Sequence, residues 1–489
     1  MKIRSLKEVL LYNYRYWFGY AIVFTFGLYF LLWRLTTLNG GLSAEELSTA
    51  SSHISARGIL NLPVSLIHAD LQWLSMKLFD INTLAIRLPS VILTIATAFI
   101  LYSLLKKWFG KPAALISTSI FLSSDWVLYF ARSGTNYIEF SFWLVLAILG
   151  LTKLLEKQKV GLFFLTMSSI GLLFTPLGIF AAFSLASVLI FNKTFRSRLL
   201  ENNNAVIIGS GVAILAAFIA FIFSAFNNTQ FMKTLIPLNG LSFTAFFKNI
   251  FLNTASIAGA IPTANAQFST TGILFIRFSV VIIALFGIYM LFKTKLNRLN
   301  LLVIELFVLL IIIGGLLGDG AGSSLLLIPV IICVTAGMRH LLHRWNQVFP
   351  NNPYARLTAY IPLVLLCVIT TLMHHAIYFT LWPSQSQTRA IFSNDLTSLQ
   401  EELNKNTSAS SKCIVLSQNQ ALQSLILASK TKCIPKFDLH NASEGGKIIT
   451  QEKLNANILP YADPTVRALV DAVEINQVRW LVYTPPSNN

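Results

Sequence analysis

Phe79-Asp80-Ile81-Asn82-Thr83-Leu84-Ala85-Ile86-Arg87-Leu88-Pro89-Ser90 carries the chain out of a polar loop into a long apolar run, and Glu45-Glu46 opens that loop. The run that follows, Ile86–Leu105, is long enough to cross a bilayer, and Trp17–Trp33 precedes the loop as a second such run. Residues 35–85 therefore connect two membrane spans, with an acidic pair near one end and Arg87 just beyond the other. Carboxylates beside a bilayer are costly unless they are solvated, paired or used chemically.

The rest of the chain agrees with this reading. It is 55% hydrophobic and only 12% charged, with a mean hydropathy of +0.65, far from the composition of soluble domains. Eleven apolar segments read as spans: Trp17–Trp33, Ile86–Leu105, Ala113–Phe130, Phe140–Leu155, Gly161–Leu173, Leu177–Phe191, Ala205–Phe226, Gly272–Phe292, Leu299–Leu317, Ser324–Met338 and Leu357–Leu381. The fifth and sixth are short and joined at Thr175-Pro176, which predicts a helical hairpin with a tight turn. The expected fold is a polytopic all-α membrane protein of about 11 transmembrane helices, residues 1–382, carrying a small extracytoplasmic α/β domain, residues 383–489.

Basic residues set the orientation. Lys2, Arg4, Lys7 and Arg15 precede the first span, and every second later connection carries a cluster such as Lys106/Lys107/Lys111 or Lys293/Lys295/Arg298. The short connections between them are nearly free of Lys and Arg, which is the positive-inside pattern with a cytoplasmic N-terminus. It places the Glu45-Glu46 loop, the connection 227–271 and the tail after Leu381 outside the cytoplasm, in a plasma membrane. These clusters account for most of the formal charge of +17, so no nucleic-acid partner is needed to explain it. The first span lacks a small-residue cleavage site and reads as a retained helix.

The first loop has helical periodicity. Leu66, Ile67, Leu71, Leu74 and Leu78 recur on one side, with His68, Asp70, Gln72, Ser75 and Lys77 on the other, as in a helix lying at the membrane interface. A shorter stretch, Leu47, Ala50 and Ile54, follows the acidic pair, and Ser43 stands three residues before Glu46 as in a capping box. The structural alternative to a catalytic role is that Glu45 and Glu46 are first-turn carboxylates favoured by the helix dipole. In the tail, Cys413–Leu416, Cys433–Phe437 and Arg479–Tyr483 read as strands, with helices at Ala421–Ser429 and Pro464–Val473. A Cys413–Cys433 disulfide and two unpaired thiols remain equal alternatives. Asn227, Asn406 and Asn441 head glycosylation-type triplets that also arise by chance.

In order and spacing, these features resemble GT-C type membrane glycosyltransferases, specifically the protein O-mannosyltransferase and lipid A aminoarabinose transferase superfamily. The resemblance rests on Glu45-Glu46, the interfacial helices and Arg87-Leu88-Pro89-Ser90. It continues through Lys106-Lys107-Trp108-Phe109-Gly110, Tyr129-Phe130-Ala131-Arg132-Ser133-Gly134 and Gly171-Leu172-Leu173-Phe174-Thr175-Pro176. It implies transfer of a sugar from a polyprenyl-phosphate donor to a lipid, glycan or protein acceptor on the outer face, with no nucleotide cofactor. By position Glu45 matches the family's catalytic Asp, and Glu46 the acidic residue after it. An acceptor hydroxyl needs such a carboxylate to take its proton. A departing lipid phosphate needs cationic or amide donors, for which Arg87 and Arg132 are the candidates, each otherwise a snorkelling residue at a helix end.

Three departures stand beside the resemblance. Glu45 replaces the usual Asp, Asn61-Leu62-Pro63-Val64 stands where several members carry an acidic-Lys-Pro-Pro stretch, and Ser324 stands where a late span often begins with Arg. They leave open a different substrate, or a catalytically silent relative acting in envelope glycan assembly. A transporter or flippase is weakened by the lack of internal repeats and of mid-span ionisable groups other than Arg277 and Glu305. Asp125 is a further candidate for site support. His68 and Asp70 are also candidates, either as partners of the acidic pair around a divalent metal or as solvated polar-face residues. Glu139 is expected to pair with Arg132, and His374-His375 to be interfacial or charge-cluster residues.

Overall fold

The computed structural model describes residues 15–55, 62–201, 204–227, 229–236, 242–258, 267–270, 277–293, 298–317, 321–352, 358, 360–392 and 396. In the tail it describes 412–416, 420–428, 434–436, 447–451, 468–475 and 478–484. The first part is helical: α1 (Arg15–Leu32), α2 (Ala44–Ser55), α3 (Leu66–Phe79), α4 (Thr83–Phe109), α5 (Lys111–Ser123) and α6 (Asp125–Ala131). There follow α7 (Tyr137–Leu155), α8 (Val160–Leu173), α9 (Gly178–Phe191), α10 (Lys193–Leu200), α11 (Asn204–Asn227) and α12 (Thr229–Leu235). The series closes with α13 (Phe243–Ala258), α14 (Phe278–Lys293), α15 (Arg298–Gly314), α16 (Leu327–Val348) and α17 (Tyr360–Ala376).

Among the described residues five helices are long and apolar enough to cross a membrane, or seven if each of two bent pairs is one span. The remaining apolar helices, Gly19–Leu32, Val160–Leu173, Ser279–Lys293 and Val303–Gly314, are shorter. One bent pair corrects the sequence reading of a continuous third span: α5 and α6 meet at 62°. Ser124 adopts extended backbone there, and the Asp125 carboxylate accepts a hydrogen bond from the Trp126 N–H at 2.8 Å, so a new helix starts.

The loop between α1 and α4 folds as two helices, as its periodicity suggested, but both expected sides of α3 are divided between the interior and the exterior. His68, Gln72 and Ser75 are buried while Leu74 and Leu78 are exposed. Leu66, Ile67 and Leu71 pack against the hydrophobic clusters, Asp70 and Lys77 are exposed, and His68 and Gln72 form hydrogen bonds in the interior. Ser65 sits in the left-handed region and its side chain does not cap α3. The Glu139 carboxylate of α7 does so instead, accepting from the Ile67 and His68 N–H groups at 3.3 and 3.2 Å and from Trp143 Nε1 at 2.9 Å. The expected Glu139–Arg132 pair is therefore not formed.

In the tail, strands β1 (Lys412–Leu416), β2 (Ile434–Lys436), β3 (Lys447–Gln451), β4 (Ala468–Ile475) and β5 (Val478–Thr484) form one sheet in the order β2-β1-β3-β5-β4. β1 is parallel to β2 and β3, and β5 is antiparallel to β3 and β4. The helix expected at Pro464–Val473 is corrected: residues 468–475 are a strand. Val470, Val473 and Ile475 favour a pleated surface, and pairing from Ala468↔Thr484 to Ile475↔Val478 overrides the expected helix. Cys433 lies outside the described residues, as do Asn406 and Asn441. Helix α18 (Gln420–Ala428) docks on the loop, its Leu422, Leu425 and Ile426 packing with Leu47, Ala50 and Ile81. Each such buried side chain contributes about 2 kcal/mol.

Candidate active site

Helix α2 sorts its residues by period. Leu47 and Ala50 turn into the core beside Glu46, while Glu45, Ser48, Thr49, Ser52 and His53 form a stripe at i, i+3, i+4, i+7 and i+8. That stripe is one wall of a cavity of about 480 Å³. Leu62, Pro63 and Val64 form a second wall, Asn136 and Tyr137 at the start of α7 a third, and Pro176, Phe231, Lys233, Thr234 and Leu317 complete it. Its volume lies in the range of small-molecule sites. Glu45 is half-buried, and the Tyr137 hydroxyl donates a hydrogen bond to its Oε1.

Neighbouring residues on a helix point about 100° apart, and Glu46 faces the interior rather than the cavity. It is fully buried and closes the predicted capping box: its carboxylate accepts from Ser43 N–H at 2.9 Å, while the Ser43 hydroxyl accepts from Glu46 N–H at 3.1 Å. The same carboxylate accepts from Gly134 N–H at 2.7 Å and from Arg87 Nε and Nη2 at 2.9 and 3.2 Å. Gly134 permits this approach, since a Cβ there would meet Ile86 Cγ2 at 2.5 Å. The Glu46 carboxylate thus accepts from four protein donors, the Ser43 and Gly134 N–H groups and Arg87 Nε and Nη2.

Arg87 and Arg132 line a separate, narrow cleft with Glu46, Asn39, Tyr129 and Tyr378, whose free volume of about 10 Å³ admits no more than a water. Arg87 also donates to the carbonyls of Leu35 and Gly41, at 2.9 and 2.7 Å. Arg132 donates to the carbonyls of Phe30 and Trp33, both at 2.6 Å, and lies over the rings of Tyr378 and Phe379. The structure thus does not bring the two arginines to Glu45. It places them behind the acidic helix.

The other candidates are likewise not at the cavity. Asp125 is fully buried in a cluster with Arg277 and His374, whose Nδ1 lies 2.8 Å from Asp125 Oδ1. Of the two sequence alternatives His374 takes the charge-cluster one, buried beside Asp125, whereas His375 stacks on Tyr29 and Trp33. His68 is inside, its Nε2 3.0 Å from Ser90 Oγ, while Asp70 is exposed on the other side of α3. They do not converge with the acidic pair, and no group of three or more His, Cys, Asp or Glu suited to a metal ion occurs among the described residues. Ser324 is buried and donates to the Ala321 carbonyl at 2.7 Å.

Three cavity residues escape a reading based on resemblance: Tyr137, His53 and Lys233. The i, i+3, i+4 polar stripe that includes His53 was present in the sequence; Tyr137 and Lys233 carry no local signal. His53 Nδ1 lies 2.6 Å from Gln72 Oε1, and Gln72 in turn donates to the carbonyls of Ile86 and Gly134. Burial pushes the His53 imidazole down to about 4, against the raising effect of contacts with Gln72 and Val64. Burial, and the neighbouring His53, also hold His68 well below its ordinary value.

The fold is similar to that of GT-C type membrane glycosyltransferases, as the resemblance in the sequence implied. Residues 64–235 match the family described as dolichyl-phosphate-mannose-protein mannosyltransferase. The chain is similar to ArnT from Cupriavidus metallidurans in the apo state, with a TM-score of 0.60 at 10% identity over 96% of this chain and 98% of that one. ArnT from the same organism bound to undecaprenyl phosphate matches with a TM-score of 0.56 at 12% identity, over 96% and 98% of the two chains. At such identities the likeness is one of fold. No curated protein sequence matches the chain.

Proposed function

We propose that the chain transfers a sugar from a polyprenyl-phosphate donor to a lipid, glycan or protein acceptor at the outer face of a plasma membrane, with Glu45 as general base. The observation that carries this reading is Glu45 itself, oriented by the Tyr137 hydroxyl on the wall of a cavity of about 480 Å³. The GT-C fold and a structural relative solved with undecaprenyl phosphate support the donor class. In the reaction, Glu45 takes the proton of the acceptor hydroxyl as that oxygen bonds to the anomeric carbon. The bond from that carbon to the phosphate oxygen breaks, and polyprenyl phosphate leaves with the electron pair. Glu46 and Arg87 hold the start of α2 so that Glu45 faces the cavity.

Sugar release from a panel of radiolabelled polyprenyl-phosphate sugars, comparing intact protein with Glu45→Gln, tests the reading. Unchanged release in a folded variant contradicts it. A second reading, a binding component without turnover, draws on Ser324, which is buried where many relatives place a cation. Saturable donor binding with no release for any acceptor would favour it.

A further inference from the structure

We propose that Lys233 binds the phosphate of the substrate that enters the Glu45 cavity. This rests on the transferase reading and adds to it the residue that meets the anion. Every cation expected from the sequence to do so is absent from the cavity. Arg87 and Arg132 open onto the cleft behind α2, where about 10 Å³ leaves no room for a phosphate. The late-span position is Ser324, engaged with a carbonyl in the interior. The loop segment where several relatives carry Lys supplies Leu62, Pro63 and Val64, so that wall of the cavity is apolar.

Lys233 is the one Lys or Arg among the described residues lining the cavity, and it shares the space with Glu45. Its backbone is firmly placed despite the shortness of α12. Phe231 and Leu235, one turn apart, are buried in a cluster with Phe174 and Phe221. The Leu235 carbonyl accepts from the Leu177 N–H at 2.9 Å, tying the helix to the turn after α8. A carboxylate and an ammonium lining one cavity match the two charges that develop in glycosyl transfer: the proton leaves the acceptor at one, and negative charge collects on the phosphate at the other. Lysine binds phosphate as a mobile point charge, which suits a group that must also be released.

The phosphate belongs either to the polyprenyl donor or to a phosphorylated acceptor, and one experiment separates them. Equilibrium binding to purified full-length protein in lipid nanodiscs is measured with polyprenyl phosphate, with polyprenol, and with an acylated glucosamine 1-phosphate. Intact protein, Lys233→Gln and Lys233→Arg are compared. Polyprenyl phosphate should bind Lys233→Gln about tenfold more weakly, with Lys233→Arg recovering most of the loss and polyprenol unaffected. Loss confined to the phosphorylated glycolipid sustains the proposal and assigns the phosphate to the acceptor. Undiminished binding of both phosphates, or equal weakening of polyprenol, overturns it. No turnover is required, so a failed Glu45 assignment would show separately as sugar release that survives Glu45→Gln.

Discussion

Glu46 and Arg87 form a buried ion pair, Oε1 to Nε 2.9 Å, that fastens the acidic helix α2 to the start of span α4. Both side chains are almost wholly shielded, at 0% and 3% exposure, so the carboxylate and guanidinium depend on each other and on nearby backbone groups. The adjacent glutamates therefore have different surroundings, Glu46 in the interior and Glu45 on the cavity wall.

Breaking that pair leaves a buried charge without its partner. Arg87→Leu should destabilise the protein by about 3–5 kcal/mol, read as a lowered thermal midpoint in detergent. Glu46→Gln should behave similarly, losing activity together with stability. A variant of either kind with an unchanged midpoint would show that the pair does not hold α2 in place.

The hydroxyl of Tyr137 donates a hydrogen bond to Glu45 and holds its orientation on the cavity wall. Tyr137→Phe should therefore lower kcat roughly tenfold while leaving KM within about twofold and the thermal midpoint unaltered. A kcat equal to that of the intact enzyme would remove the orienting role.

His53 gives the fold an acid sensitivity. Its imidazole is held at about 4 in the folded protein by burial, against an ordinary value of 6.5. Below about 6.5 the unfolded chain binds a proton that the folded chain refuses, so stability is complete above that pH and declines as pH falls towards 4. The thermal midpoint should fall between pH 7 and pH 5, and His53→Gln should flatten that decline in part, His68 supplying the remainder. An identical decline in the variant would locate the sensitivity elsewhere.

Much of this fold is visible in the sequence because membrane spans are written in hydropathy and helix ends in local chemistry. The Ser43/Glu46 capping box and the hairpin around Thr175-Pro176 follow from short-range rules that the structure obeys. The errors arise where tertiary partners decide. No Pro or Gly marks the break after Ser123. The amphipathic pattern of α3 shows that two faces differ, but not that His68 and Gln72 would find Ser90 and the Ile86 carbonyl inside the protein. For the site, 100° per residue already implies that Glu45 and Glu46 point apart. Which of them meets Arg87, and that Lys233 rather than an arginine shares the cavity with Glu45, depends on packing between distant segments.

The central claim is that Glu45 is the base that activates the acceptor. Sugar release from polyprenyl-phosphate donors, measured for intact protein and for Glu45→Gln at matched thermal stability, tests it most directly. The account predicts a loss of about 10²–10⁴-fold in the variant, the usual contribution of a positioned general base. Release within about twofold of the intact protein, from a variant with the same thermal midpoint, would contradict it.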